Sequence, residues 1–258
     1  MPGFERKVVT VTGGASGMGR ATATRFLEEG ATVFVADVNE DALAAVTREL
    51  CGLAPQVRSV AVDVSSSASC DAMVSSVIEQ AGRLDVLVNS AGVWAEGASE
   101  AIADADWDRV MNVNLRGLFF CCRAAIPALK KTRGCIVNVS SRAGEGAVPE
   151  ALLYCVSKAG VNMLTRSLAL ELAPSLVRIN AVCPSDVDTP FLHAQARDYG
   201  GDDPEGYLDA LRRRLPQGEH GRFVKPEEVA ALVLYLASEA AEPITGECIR
   251  VDFGISAR

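Results

Sequence analysis

Short apolar, β-branched runs alternate along the chain with longer segments whose apolar residues recur at helical spacing. The runs lie at 7–12, 31–36, 57–62, 84–88, 135–139 and 178–183, and Gly, Asn, Ser or Pro follows several of them. Strands that alternate with helices predict a parallel sheet, and nearly continuous apolar character predicts strands covered on both faces. The pattern therefore predicts an α/β protein with a doubly wound, mainly parallel sheet.

The length of the chain suits one large α/β domain, and no repeat, low-complexity segment or Gly/Ser linker divides residues 1–258. One segment, 188–223, departs from the alternation because it contains several Gly and Pro residues and many charges. It is predicted to be a substrate lid, with a variable surface excursion as the alternative. Beyond it, Pro and two acids followed by apolar residues at helical spacing predict a helix over 226–238.

Charge and composition narrow the classes of function. The net charge is -8 and no dense Lys/Arg stripe is present, which argues against nucleic-acid binding. The chain starts without an apolar leader and has no apolar run of membrane-spanning length, so we expect a cytoplasmic protein that binds no membrane. The eight cysteines form no Cys-x-x-Cys pair and have no His at ligand spacing, so no metal site is predicted.

A glycine-rich turn directly follows the first predicted strand. It runs from Thr12 to Gly19 as Thr-Gly-Gly-Ala-Ser-Gly-Met-Gly, and a helical pattern follows at 20–29. Glycines let the backbone turn sharply and approach a pyrophosphate, and the free amides at a helix N-terminus attract its charge. A purely structural turn is the alternative, but the strand before the loop and the acid after it favour a dinucleotide site.

Asp37 is that acid, and it follows the second predicted strand eighteen residues after Gly19. The spacing is close to that of a carboxylate that binds the adenosine ribose hydroxyls of a dinucleotide. Its charge would repel the 2′-phosphate of NADP, and the loop before Gly19 has no Lys or Arg to offset this. We therefore predict NAD in preference to NADP, with a strand-terminal turn residue as the alternative. Asp63 is predicted to end the third strand similarly and to contact adenine.

Tyr154 and Lys158 lie four residues apart, and Ser141 lies thirteen residues before the tyrosine. In a helix, this spacing places the phenol and the ammonium on one face. No other tyrosine has a lysine four residues later. An isolated pair of this kind is more often a solvated helix face, but the glycine-rich turn and Asp37 favour a proton-transfer site.

These motifs together resemble those of the short-chain dehydrogenase/reductase family over essentially the whole chain. The matching segments are Thr12–Gly19, Asn89-Ser90-Ala91-Gly92, Asn112-Val113-Asn114, the serine strand from Ile136 to Ser141, and Tyr154 with Lys158. The offset to Tyr154 selects Ser141 over Ser140 as the family's catalytic serine. The resemblance implies a single Rossmann-type domain with a seven-stranded sheet and a nicotinamide cofactor. It also implies a homotetramer or homodimer.

The resemblance implies a role for each of several residues. Tyr154 is the general acid and base, Lys158 assists it and holds the nicotinamide ribose, and Ser141 holds the substrate oxygen. Asn114 supports a water that connects Lys158 to solvent, with a buried residue at a helix kink as the alternative. The implied cofactor-binding residues are Gly13, Ser16, Gly17, Met18, Gly19, Asp37, Asp63, Val64, Asn89, Ala91, Gly92, Tyr154, Lys158, Pro184, Val187 and Thr189.

The family comparison also places a mixed set of residues near the substrate: Trp94, Glu96, Arg142, Glu145, Val148, Phe191 and His193. Their polar character favours a small polar or anionic substrate, although Arg142 and His193 suit a solvated surface equally well. The chain departs from the family pattern at Ser90, where the family has asparagine, and at two glycine positions. Ser185 stands where the family has a glycine near the nicotinamide, and Phe253 stands where it has a glycine near the C-terminus.

The predicted function is an NAD-dependent oxidoreductase that interconverts a secondary alcohol and a ketone, with Tyr154 as general acid/base. A free phenol has a pKa near ~10, so a working value near ~7 needs about 4 kcal/mol. An ammonium about 4 Å away supplies roughly that amount at an effective dielectric constant near 20. The alternatives are an NADPH-linked 3-oxoacyl reductase and a non-catalytic dinucleotide-binding protein.

Overall fold

The computed structural model describes residues 3–257, so Met1, Pro2 and Arg258 of the predicted domain lie outside it. Within that range seven strands form one parallel sheet in the order β3-β2-β1-β4-β5-β6-β7. The strands are β1 (Val8–Thr12), β2 (Thr32–Asp37), β3 (Val57–Ala61), β4 (Val86–Asn89), β5 (Cys135–Val139), β6 (Arg178–Pro184) and β7 (Cys248–Val251). The predicted doubly wound α/β fold and its seven-stranded sheet are confirmed.

Helices cover both faces of this sheet. They are α1 (Gly17–Glu28), α2 (Glu40–Leu53), α3 (Ser67–Ala81), α4 (Asp104–Met111), α5 (Leu118–Thr132), α6 (Leu152–Leu172), α7 (Pro190–Tyr199), α8 (Pro204–Arg213) and α9 (Pro226–Ala237). A π-helical turn, Asn112–Gly117, joins α4 to α5. No helix within residues 3–257 is both long enough and apolar enough to cross a bilayer.

The two faces of the sheet have separate apolar cores because successive strand residues point to opposite sides. Val9, Val33 and Val137 pack with the apolar residues of α1, α2 and α9. Phe34 and Ile136 pack on the other side with those of α3, α5 and α6. The continuous apolar runs of the sequence therefore bury alternate side chains in two different layers.

β1 and β4 are parallel neighbours in the sheet. The strands that follow β1 in the chain lie on one side of this pair and those that follow β4 lie on the other, so the strand order reverses here. Ligands of open α/β sheets bind in the crevice at such a switch point, beyond the carboxyl ends of the strands. The loops that follow β1, β4, β5 and β6 all begin at this edge. This edge of the sheet therefore brings together motifs that are far apart along the chain.

Asp37 ends β2 as predicted, but Asp63 does not end β3, which stops at Ala61. The backbone N–H of Asp63 donates to Ser69 Oγ in α3, at 3.0 Å, instead of to the sheet. The Asp63 carboxylate accepts hydrogen bonds from the backbone and hydroxyl of Ser65, at 2.9 and 2.7 Å. The prediction was therefore wrong about the strand end, because a local turn captures both groups.

Segment 188–223 forms a helix pair, α7 and α8, rather than an irregular excursion. Its buried residues form an apolar cluster of their own: Leu192, Ala196, Leu208, Leu211, Leu215 and Phe223. Thr189 caps α7 by accepting a hydrogen bond from the Leu192 N–H, at 3.4 Å. Asp203 caps α8 in the same way through the Gly206 N–H, at 2.8 Å. The segment thus has its own small core, and its closing as a lid stays a prediction.

Candidate active site

Two glycines of the glycine-rich loop, Gly13 and Gly19, leave no room for a side chain. Gly13 and Gly17 have φ values of +63° and +51°, in the left-handed region that favours glycine. A Cβ on Gly13 would lie 2.8 Å from the backbone of Ala91, and one on Gly19 would lie 2.2 Å from the carbonyl oxygen of Gly13. The loop therefore forms a tight cradle whose bare backbone can approach a pyrophosphate closely.

The start of α1 leaves its amides available to such a ligand. The side chain of Ser16, the residue before the helix, makes no capping hydrogen bond within the described structure. The first amides of a helix lack intrahelical partners and attract anions. The residues of the cradle therefore fit the phosphates of a dinucleotide in both shape and charge.

Asp37 is held at the same cavity by two backbone amides. Its Oδ2 accepts a hydrogen bond from the Ala15 N–H and its Oδ1 accepts one from the Asn39 N–H, both at 3.1 Å. These bonds fix the carboxylate beside the glycine-rich loop. Arg20, the nearest basic residue in sequence, pairs instead with Glu49 at 2.5 Å, on the outer side of α1.

The cavity around the loop, called here the cofactor cavity, is lined by most of the predicted cofactor-binding residues. These are Gly13, Ser16, Gly17, Met18, Gly19, Asp37, Asp63, Val64, Ala91, Gly92, Tyr154, Lys158 and Thr189. Pro184 and Val187 line a second cavity beside it. Asn89 reaches neither, because it is buried in the sheet and its Nδ2 donates to Asn138 Oδ1 at 2.9 Å. Asn89 therefore joins β4 to β5.

Tyr154 and Lys158 lie on α6, as their spacing predicts. The Lys158 Nζ is 5.5 Å from the centre of the Tyr154 ring and donates to the carbonyl oxygen of Val139, at 2.9 Å. Ser141, two residues after β5, accepts a hydrogen bond from the Ala143 N–H at 3.1 Å. It therefore caps a short turn and also lines the second cavity together with Tyr154.

Burial changes the proton affinities of both α6 residues. It raises the pKa of Tyr154 above its ordinary value, an effect that the neighbouring Ser141 hydroxyl opposes. It lowers the pKa of Lys158 to about 8. At neutral pH the phenol is therefore protonated, and the lysine is still mainly an ammonium.

Asn114 lies in the π-helical turn and is fully buried. Its Oδ1 accepts from the Val93 N–H at 2.8 Å, and its Nδ2 donates to the Val93 carbonyl at 2.9 Å. The Nδ2 is also 3.2 Å from Ser157 Oγ. Asn114 thus ties the loop after β4 to α6. A Cβ built on Gly92 would lie 3.4 Å from Asn114 Oδ1 and 3.8 Å from Lys158 Nζ, so both side chains flank this glycine.

The second cavity, called here the adjacent cavity, shares Tyr154 with the cofactor cavity and extends beneath α7 and α8. Of the residues predicted near the substrate, it is lined by Trp94, Glu96, Arg142, Val148 and Phe191. Two predicted residues are not among its walls. Glu145 pairs with Arg250, and His193 hydrogen-bonds to Asp188 at 2.8 Å. The partner of Glu145 is therefore far away in the sequence, whereas the partner of His193 is an exposed neighbour.

Trp94 packs directly on the Tyr154 ring, with the two ring centres 4.5 Å apart. Its Nε1 donates to Glu96 Oε2 at 3.0 Å, and the same oxygen accepts from the Tyr207 hydroxyl at 2.7 Å. The Tyr207 oxygen also accepts from Gln195 Nε2 at 2.6 Å. This chain of hydrogen bonds connects α7 and α8 to the loop after β4, across the adjacent cavity.

The sequence analysis missed several residues that line the adjacent cavity, among them the polar residues Glu150, Asp186, Gln195, Tyr207 and Arg214. Asp186 had a usable signal, because it follows the carboxyl end of β6 within two residues. The helical spacing of Leu208 and Leu211 could have predicted which face of α8 is buried. Nothing in the sequence indicated that Tyr207 would reach Glu96, more than a hundred residues earlier in the chain.

A dinucleotide cradle and a Tyr–Lys pair at the switch point of a parallel sheet define a nicotinamide-dependent oxidoreductase. Comparison with known proteins agrees with this class. Residues 13–256 match the family model described as enoyl-(acyl carrier protein) reductase. The meso-2,3-butanediol dehydrogenase of Serratia marcescens is 41% identical over 98% of this chain and 96% of its own. The 3-oxoacyl-[acyl-carrier-protein] reductase FabG of Thermotoga maritima is 38% identical over 98% of both chains.

Solved structures give the same result. The aldohexose dehydrogenase of Thermoplasma acidophilum superposes with a TM-score of 0.88 at 35% identity, covering 99% of this chain and 96% of that one. The chain belongs to the short-chain dehydrogenase/reductase family. It is an oxidoreductase that acts on CH–OH or keto groups with a nicotinamide dinucleotide. Members of this family act on small molecules and are typically oligomeric.

Proposed function

We propose that this protein is an NAD-dependent dehydrogenase that interconverts a small, polar secondary alcohol and the corresponding ketone. The observation that carries the proposal is the position of Tyr154, which forms a wall of both the cofactor cavity and the adjacent cavity. A proton donor at this boundary meets a substrate in one cavity and the reactive end of a cofactor in the other. That juxtaposition is what hydride transfer with coupled proton transfer needs.

The preference for NAD rests on Asp37. Its carboxylate is fixed at the cofactor cavity by the amides of Ala15 and Asn39, so it cannot turn away without losing both hydrogen bonds. Such an acceptor suits two ribose hydroxyls and repels a 2′-phosphate. The guanidinium of Arg20 does not offset this repulsion because Glu49 already neutralises it.

The proton chemistry follows from the buried environment of Tyr154. Its raised pKa keeps the phenol protonated, which suits a donor to the oxygen of a ketone during reduction. In alcohol oxidation the phenol must be deprotonated, and the ammonium of Lys158 near its ring favours the phenolate. When bound, a nicotinamide dinucleotide would supply the hydride acceptor and, in its oxidised form, a further positive charge.

The other two residues hold this arrangement in place. Ser141 lies beside Tyr154 and donates to the substrate oxygen, so that the phenol and the hydroxyl orient the same atom. Asn114 holds the loop after β4 through both groups of Val93, and its water-binding role toward Lys158 stays a prediction. Trp94 packs against the half-buried Tyr154 ring and limits its movement.

The test is nicotinamide absorbance with purified protein, NAD or NADP, and a panel of secondary alcohols, polyols, sugars and hydroxy acids. We expect turnover with NAD for at least one alcohol. Replacing Asp37 with Ser should lower the ratio of NAD to NADP efficiency by about tenfold or more, because a repulsion of about 1–2 kcal/mol disappears. A wild-type preference for NADP would contradict the assignment of Asp37.

A second candidate, an NADPH-linked 3-oxoacyl reductase, is favoured by the similarity to the reductase of Thermotoga maritima. It predicts oxidation of NADPH with an acyl thioester and little activity with NAD. Binding of NAD with no turnover of any alcohol or ketone would instead support a non-catalytic dinucleotide-binding protein. The cytoplasmic location and the homotetrameric or homodimeric assembly stay predictions.

A further inference from the structure

The adjacent cavity has a wall of mixed charge that the proton chemistry does not use. Asp186, just after β6, lines it together with Arg142, after β5, and Arg214, at the end of α8. Within residues 3–257 none of the three forms an ion pair or a hydrogen bond from its side chain to another side chain. Glu96 differs, since Trp94 and Tyr207 already occupy one of its oxygens.

These groups lie near one another and near the catalytic phenol. Burial raises the pKa of Asp186, and the positive charges of Arg142 and Arg214 oppose that rise. Asp186 and Arg142 also act on Tyr154 in opposite directions, the acid raising its pKa and the guanidinium lowering it. The wall therefore offers an acceptor and a donor within electrostatic range of the reacting oxygen.

The chemistry of this wall discriminates between classes of substrate. A carboxylate only accepts hydrogen bonds and a guanidinium only donates them, whereas a hydroxyl does both. An anionic substrate would gain from Arg142 and Arg214 but would meet three carboxylates, those of Asp186, Glu96 and Glu150, in the same cavity. An apolar substrate would bury these charges without giving them partners, which is costly. An uncharged group that both donates and accepts satisfies the wall at the lowest cost.

We infer that the substrate is an uncharged polyol or sugar whose second hydroxyl, on the carbon beside the reacting one, donates to Asp186 and accepts from Arg142. The inference rests on the proposed function and names its substrate class. In the reaction the carbinol carbon would lose a hydride to bound NAD, its oxygen would lose a proton to the Tyr154 phenolate, and a hydroxy ketone would form. The second hydroxyl is not changed and serves only for recognition.

The experiment compares three probes of equal carbon number with NAD: butane-2,3-diol, butan-2-ol and 3-hydroxybutyrate. We expect kcat/KM for the diol to exceed that for the other two by at least thirtyfold. Replacing Asp186 with Ala should lower the ratio of diol to monoalcohol efficiency by at least tenfold. The matched control is Asp198→Ala, since Asp198 is exposed on α7 outside the cavity, and it should leave the ratio unchanged.

The outcomes separate this inference from the proposed function. Equal efficiencies for diol and monoalcohol, or an unchanged ratio in Asp186→Ala with intact NAD affinity, would overturn the inference while leaving the dehydrogenase assignment in place. A preference for 3-hydroxybutyrate that is lost in Arg142→Gln would overturn it in favour of an anionic substrate. If no probe and no other alcohol is oxidised although NAD binds, the proposed function fails and the inference fails with it.

Discussion

The cofactor cavity and the adjacent cavity share Tyr154, yet they are built in different ways. The cofactor cavity includes a tightly packed glycine-rich loop, the N-terminus of α1 and the ends of parallel strands. The adjacent cavity is formed mainly by side chains that meet across the fold, such as Trp94, Glu96 and Tyr207. The first is specified by local sequence, whereas the second depends on how distant segments pack.

The two cavities should also differ in how strongly a single substitution affects them. In the cofactor cavity a single added carbon would collide with backbone that has little freedom to move. In the adjacent cavity the contacts are hydrogen bonds and ring packing, each of which contributes about 1 kcal/mol. We therefore expect single changes to be severe in the first cavity and graded in the second. The shared boundary should be the most sensitive of all.

At that boundary, Tyr154→Phe should reduce kcat by about 10³-fold, because general acid–base catalysis by one group contributes about 10²–10⁴-fold. The affinity for NAD, measured by calorimetry, should change less than threefold, since the ring and its packing on Trp94 remain. Tyr235→Phe is a suitable control outside both cavities. Near-normal turnover of Tyr154→Phe would rule out the tyrosine as the acid and base.

In the cofactor cavity, Gly19→Ala should weaken NAD binding by about 100-fold. The new Cβ would lie 2.2 Å from the Gly13 carbonyl, and overpacking of this kind costs about 3 kcal/mol. Gly52→Ala in α2 is the control, because no atom lies within 4 Å of its added Cβ. Thermal unfolding of both variants separates a local effect from misfolding. Unchanged NAD affinity in a folded Gly19→Ala protein would contradict the cradle.

Lys158→Met should stabilise the cofactor-free protein by about 2 kcal/mol at pH 7, although it removes a proposed catalytic group. Burial lowers the pKa of Lys158 from 10.5 to about 8, which corresponds to a penalty of about 3 kcal/mol for burying the ammonium. The substitution removes this penalty but also removes the hydrogen bond to Val139, which costs about 1 kcal/mol. Because the folded pKa is the lower one, the penalty is complete below pH 8 and fades as the pH rises to 10.5.

The measurement for this variant is the midpoint of thermal unfolding as a function of pH. The midpoint should rise by about 4–8 °C at pH 7 relative to the wild type, with a smaller difference near pH 10. Lys130→Met, which replaces an exposed lysine in α5, should change it little at either pH. A destabilised Lys158→Met protein at pH 7 would show that the buried ammonium is better compensated than its surroundings indicate.

In the adjacent cavity, Tyr207→Phe should have the smallest effect. It removes the hydroxyl that joins Gln195 to Glu96, while Glu96 keeps the bond from Trp94. The loss of about 1 kcal/mol should raise KM for the alcohol about fivefold and leave kcat within twofold. Tyr199→Phe, an exposed tyrosine at the end of α7, is the control. A fall in kcat with unchanged KM would mean that the hydrogen bonds act on catalysis rather than on substrate binding.

The cofactor cavity and the adjacent cavity also differ in how well the sequence predicted their residues. The glycine-rich loop, Asp37, Ser141, Tyr154 and Lys158 all lie at one sheet edge, because strand ends in a doubly wound sheet converge there, and their roles stay predictions. Asn89 was predicted at the cofactor and lies instead between β4 and β5. A side chain's direction on a strand depends on register, which motif spacing does not contain.

Segment 188–223 shows the limit most clearly. Its glycines, prolines and charges predicted a lid or a surface excursion without defining its structure, and α7 and α8 form around an apolar cluster and carry Gln195 and Tyr207 to the cavity. Gln195 bonds to Tyr207, and Tyr207 bonds in turn to Glu96, more than a hundred residues earlier in the chain, so no local pattern could predict that connection. Glu145 is outside the cavity walls because it pairs with the distant Arg250, whereas His193 bonds to Asp188, only five residues before it.

The sequence by itself determined the α/β fold, the dinucleotide loop with its acid, and the Tyr–Lys pair, because periodicity, glycine geometry and helical spacing are local properties of a chain. Only the tertiary structure decided which charged side chains line the adjacent cavity and how the Tyr154 ring packs against Trp94. Those features depend on contacts between segments that are distant in sequence, and contacts of that kind exist only once the sheet and its helices have packed.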